Sequence, residues 1–225
     1  MPPAAYTCPM TRYAARVRRI LPHDARHVFS ELDSPEKIQD FLEALPTNFE
    51  TDGESNHSPL QVLKMKKAHC FEGAVFAAAV LAYHGERPLL MDFETIPKDE
   101  DHTVALFKRK RHWGALSKTN HAVLRYRDPV YATPREIAMS YFHEYYLYDG
   151  TKSMIAYSSP FDLSRFAPEE WITTEKNLDW LMTKMSKSGY FSIVPPNTKL
   201  RKATRVELEA LNLTMQPDPR KKRMG

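Results

Sequence analysis

Between Phe71 and His84 the chain carries Val75, Phe76, Ala77, Ala78, Ala79, Val80, Leu81 and Ala82 with no polar residue among them. A surface helix needs a polar face, and this run offers none, so it belongs inside a core. Whatever fold the chain adopts has to surround this helix. Gly85, which enters a left-handed conformation cheaply, marks its end. Cys70 stands at its first turn, where unpaired backbone N–H groups and the positive end of the helix dipole favour a thiolate. Free cysteine is also among the most buried residue types, a small inert hydrophobe. Position alone leaves both readings of Cys70 open.

The 225 residues suit one domain with elaborations, and 42% hydrophobic content is ample for a packed core. We divide the chain into an N-terminal extension (1–30), a core (31–132), a helical elaboration of the same domain (133–214) and a disordered basic tail (215–225). Thirty-two basic against twenty-eight acidic residues leave a net charge of +4, gathered in Arg12 to Arg19, Lys108 to Arg111, Lys199 to Arg205 and Arg220 to Arg223. Such runs read as solvated faces or tails, and no nucleic-acid motif accompanies them. Cys8 and Cys70 make no disulfide framework, which suits a reducing compartment. No apolar stretch reaches the length of a leader or a membrane span, so a cytoplasmic protein without membrane contact is expected.

Helix starts are signalled by Ser34-Pro35, by Ser58-Pro59 with Gln61, by Thr133-Pro134 with Glu136, by Thr174, and by Thr204 with Glu207. The third predicts a helix to about Leu147, and the tail from Gln216 onward is expected to be disordered. Short apolar or alternating runs at Pro88 to Phe93, Thr103 to Phe107, Trp113 to Leu116 and Ala122 to Tyr126 predict successive antiparallel strands. If Lys108 to Arg111 form a four-residue hairpin loop, Phe107 pairs with His112. Counting back then sets His102 opposite Ser117 on the same face.

A thiol at a buried helix's N-terminus and a histidine opening a strand are the parts that nucleophilic acyl transfer needs. The stretch Lys66-Lys67-Ala68-His69-Cys70-Phe71-Glu72-Gly73-Ala74, the alanine-rich helix, Gly85 and then Asp101-His102-Thr103-Val104 resemble the core of the transglutaminase-like superfamily, a papain-like group. The likeness spans about residues 58 to 125. It implies an α+β fold with a buried central helix packed on an antiparallel sheet, followed by additional C-terminal helices. It further implies Cys70 as nucleophile, His102 as general base and acid, a peptide or protein amide as substrate, and no cofactor.

By the same likeness, Trp113-Gly114-Ala115-Leu116-Ser117-Lys118-Thr119-Asn120 matches the strand that carries the family's aspartate, whose place falls on Ser117. A serine hydroxyl supplies a neutral hydrogen bond where a carboxylate would also supply charge. Asn120 is a second neutral candidate, as asparagine is in papain-like proteases, and Asp128 a third if the chain folds back. The site is then Cys70 and His102 with a non-aspartate partner, or one that has lost catalytic strength. We read His69 as a loop or surface residue. A zinc site built from Cys70, His69, His102 and His121 or His143 lacks a close ligand pair. The rival to an enzyme is a non-catalytic binding module that kept the fold.

Overall fold

The structure is a computed structural model and describes residues 9–51 and 53–220, so Cys8 lies outside it. In chain order the helices are α1 (Pro9–Ile20), α2 (His23–Glu31), α3 (Pro35–Ala44), α4 (Pro59–Met65), α5 (Cys70–Tyr83), α6 (Pro134–Phe142), α7 (Pro168–Trp171), α8 (Asp179–Met185) and α9 (Arg205–Asn212). The strands are β1 (Leu89–Thr95), β2 (His102–Arg109), β3 (His112–Leu116), β4 (Arg127–Tyr131), β5 (Met154–Ser158), β6 (Phe161–Asp162) and β7 (Tyr190–Ser192). They form one antiparallel sheet in the order β4-β3-β2-β1-β5-β7, with β6 also against β1. The chain is therefore α+β. No helix among the described residues is long and apolar enough to cross a membrane.

Two apolar layers follow from strand alternation. Leu90, Ala105, Phe107 and Leu116 face α5, while Met91, Phe93, Val104, Leu106 and Ala115 face α6. Every residue of α5 from Phe71 to Ala82 is buried, as a run without a polar face requires. Several helix starts work as the capping residues dictate. Ser34 accepts from Lys37 N–H at 3.3 Å, and Ser58 and Gln61 bond reciprocally.

The structure corrects several expectations. The segment set apart as an N-terminal extension supplies α1 and α2, and its Val17, Leu21, Ala25 and Phe29 belong to the core around α5. A helix as apolar as α5 needs cover on its far side, and these two provide it. The hairpin turn holds only Lys110 and Arg111, with Lys110 left-handed (φ 57°), so Arg109 pairs with His112 and Phe107 with Gly114. Lys108 continues the strand because its ammonium lies 4.0 Å over the Trp113 ring. The register is thus two residues from that expected, and His102 does not lie directly opposite Ser117. A shift of two keeps both on one face.

Residues 122–126 form no strand, because Leu124 is left-handed (φ 61°), and the last pairing falls on β4 instead. Helix α6 stops at Phe142, where the chain turns so that Tyr145 O accepts from Ser153 N–H at 3.2 Å. Thr174 does not open a helix: its carbonyl accepts from the Ser58 hydroxyl at 2.7 Å, and α8 begins at Asp179. The tail expected to be disordered is tied down as far as Arg220. Gln216 Oε1 accepts from Thr47 N–H at 3.1 Å, and its backbone bonds both ends of the Asn120 amide at 2.9 and 3.0 Å.

Candidate active site

Cys70 is the first residue of α5 and is partly exposed, with its Sγ 4.0 Å from the carbonyl oxygen of Asp101. The imidazoles of His102 and His69 stand close enough to act on it through hydrogen bonding and charge. Burial pushes the thiol up, but those two influences outweigh it, holding Cys70 well below the ordinary thiol range.

His102 opens β2 and sits on the α6 face, stacked on Phe93 at 6.4 Å between ring centroids and 16° between planes. Its Nε2 lies 2.8 Å from Ser117 Oγ. The Ser117 hydroxyl lies 2.5 Å from the carbonyl oxygen of Leu124. A carbonyl only accepts, so the single serine proton goes to Leu124, and Oγ has to accept from His102 Nε2–H. That ordering leaves Nδ1 of His102 for the Cys70 thiol and gives it the lone pair that takes a proton. The tautomer is set by the left-handed turn at Leu124, whose own N–H is held by Glu144 Oε2 at 2.7 Å.

Ser117 is in turn clamped by a side chain that sequence reasoning missed. Gln39 of α3 donates through Nε2 to Ser117 O at 2.9 Å and accepts through Oε1 from Ser117 N–H at 3.0 Å. The amide thus bonds Ser117 just beyond the end of β3, as a neighbouring strand would. Only its position on α3's buried face hinted at a role.

The structure brings Cys70, His102 and Ser117 together and leaves Asn120 out, because both ends of the Asn120 amide are occupied by Gln216. Asp128 is exposed on β4. His69, read from sequence as a loop or surface residue, is instead at the centre. It caps α5, and its Nε2 lies 2.7 Å from Ser55 O, 3.6 Å from Glu72 Oε1 and 3.9 Å from Glu50 Oε1. Burial pulls its pKa down, but the bond to Cys70, the Cys70 and Glu72 charges and the Ser55 carbonyl outweigh that and raise it to about 9.

Glu72 is fully buried and fixes the loop beneath. Its carboxylate accepts from His69 N–H at 3.0 Å, His57 N–H at 3.0 Å, Ser55 Oγ at 3.1 Å and Asn48 Nδ2 at 3.1 Å. His121 stands apart with Nδ1 3.0 Å from Leu211 O. Among the described residues no three His, Cys, Asp or Glu side chains are grouped to hold a metal ion.

Asp92 lies nearby on β1, accepting from the hydroxyls of Thr103 at 2.9 Å and Tyr190 at 2.8 Å. Burial lifts its carboxyl from 3.8 to about 6, outweighing those two bonds, and Asp101 and Cys70 add repulsion. A carboxyl raised on folding holds its proton more tightly when folded. Its contribution is therefore complete below about pH 4 and lost as pH rises through about 6. Asp92→Asn is expected to flatten the decline in melting temperature across that window, and an unchanged decline would contradict this assignment.

Neither the protein-family models nor the curated proteins with which the chain was compared yield a match. The reading of the site rests on its own residues.

Proposed function

We propose that the chain is a cysteine-dependent acyl transferase or hydrolase acting on an amide, with a transglutaminase-like catalytic arrangement. The observation that carries this reading is the one-way hydrogen-bond chain from His102 Nε2–H to Ser117 Oγ and on to Leu124 O, which leaves Nδ1 with a free lone pair for the thiol proton. His102 Nδ1 takes the Cys70 proton, and the thiolate attacks the amide carbonyl. Backbone N–H groups in the first turn of α5, which have no acceptor within the helix, face the developing oxyanion. The proton on Nδ1 then passes to the leaving amine, and an acyl group stays on Sγ. Water or a second amine, deprotonated by the same nitrogen, releases it. Which of the two arrives decides between hydrolysis and transfer.

The test is hydroxamate formation from a panel of glutamine peptides and peptidyl thioesters, with hydroxylamine as acceptor. Wild-type protein is expected to give product and a transient acyl adduct on Cys70, with both lost in Cys70→Ala. Neither product nor adduct from any donor would favour the non-catalytic binding module.

A further inference from the structure

The departure at Ser117 leaves His102 with no carboxylate partner, yet the site gathers carboxylates around the other imidazole. We propose that His69 is a second catalytic imidazole, a standing imidazolium against Sγ that draws the shared proton of Cys70 onto His102. This inference rests on the reading of Cys70 as the nucleophile.

The geometry carries it in three steps. First, His69 Nε2 is 2.7 Å from Ser55 O, and because a carbonyl only accepts, Nε2 bears a proton. Second, His69 adjoins Cys70 in the chain and its ring acts on the thiol, and a thiolate beside that ring is best met by an imidazole carrying a second proton. Third, the doubly protonated ring has counter-charges in place: Glu72 at 3.6 Å and Glu50 at 3.9 Å. Glu72 is immobilised by Asn48, Ser55 and the backbone of His57, so its charge stays beside His69.

The titratable groups that bear on this pair come from every neighbouring element. His57 Nδ1 lies 2.7 Å from Glu72 Oε1 and competes for its charge. Glu50 belongs to the loop before α4, Glu72 to α5 and His102 to β2. Asp92 of β1 and the buried Tyr145 feel the Cys70 charge.

The proton accounting is simple. With His69 charged throughout, one proton is shared between Cys70 Sγ and His102 Nδ1. Placing it on Nδ1 creates thiolate beside imidazolium, and the His69 charge favours that form. In a triad with aspartate, the carboxylate would favour it from the far side of the base. Here the stabilising charge sits on the nucleophile's side, and His69 neither gains nor loses a proton during turnover.

The experiment is iodoacetamide alkylation of Cys70 against pH in a Cys8→Ser background, comparing His69 with His69→Gln and His69→Lys. His69→Gln is expected to shift the alkylation profile towards the ordinary thiol value of about 8.5 and to slow alkylation at pH 6.5 at least tenfold. At pH 10, where any thiol is ionised, the rates should agree within about threefold. His69→Lys, which restores a charge, should recover part of the loss. A folded His69→Gln protein with an unchanged profile would overturn the proposal. If that variant does not fold, the wild-type His69 ring is read by nitrogen NMR at pH 7.5: doubly protonated is expected, and neutral overturns it. Absence of acyl product with these titrations intact would sink the proposed reaction and leave His69's hold on the thiolate standing.

Discussion

Phe76→Ala is expected to cost about 3–5 kcal/mol, read as a fall in the urea midpoint at unchanged slope. Phe76 is fully buried on α5, stacked on Phe41 at 5.0 Å between centroids and edge-on to Phe29 at 5.4 Å. Its removal deletes transfer free energy, leaves a cavity between α2, α3 and α5, and breaks two aromatic pairs worth about 0.5–1.5 kcal/mol each. Domains of this size are stable by about 5–15 kcal/mol, so the loss is a large fraction of the total. A loss below about 1 kcal/mol would mean that α2 and α3 do not close over α5 as described.

His102→Ala is expected to lower the rate of the proposed acyl transfer by about 10²–10⁴, the usual contribution of a positioned general acid–base group. Folding should survive better than activity, because the buried ring stands at a strand end and contributes one stack on Phe93 and one hydrogen bond to Ser117. Gln39→Ala should show a smaller loss of the same kind, since it frees Ser117 without removing the base. A His102→Ala protein that kept full rate would remove His102 from the mechanism.

The parts of this molecule that sequence made legible are those whose signal is local. Alpha5 is such a case, because eight consecutive apolar residues admit no surface placement. The capped starts at Ser34, Ser58 and Thr133 are others, since residue type and spacing alone define them. His102 and Ser117 were placed on one face for a sturdier reason than the register used to argue it. Strand period is two, and the hairpin error was also two residues, so parity held while pairing did not. Hidden from sequence were the ties between distant segments. Gln39 reaches Ser117 across 78 positions and Gln216 reaches Asn120 across 96, and no periodicity announces either. Asn120 looked available only because its partner was assigned to a disordered tail. His69 was missed for the opposite reason. It adjoins Cys70 in the chain, and only the loop carrying Glu50 and Ser55 surrounds its ring with acceptors.

The most direct measurement of the central claim is the pH dependence of Cys70 alkylation by iodoacetamide, in a Cys8→Ser background, with and without His102→Ala. A coupled pair predicts a thiolate present well below the ordinary value of about 8.5 in the parent protein and a profile shifted upward in the variant. A parent profile at the ordinary value, or one that His102→Ala leaves in place, would contradict the account.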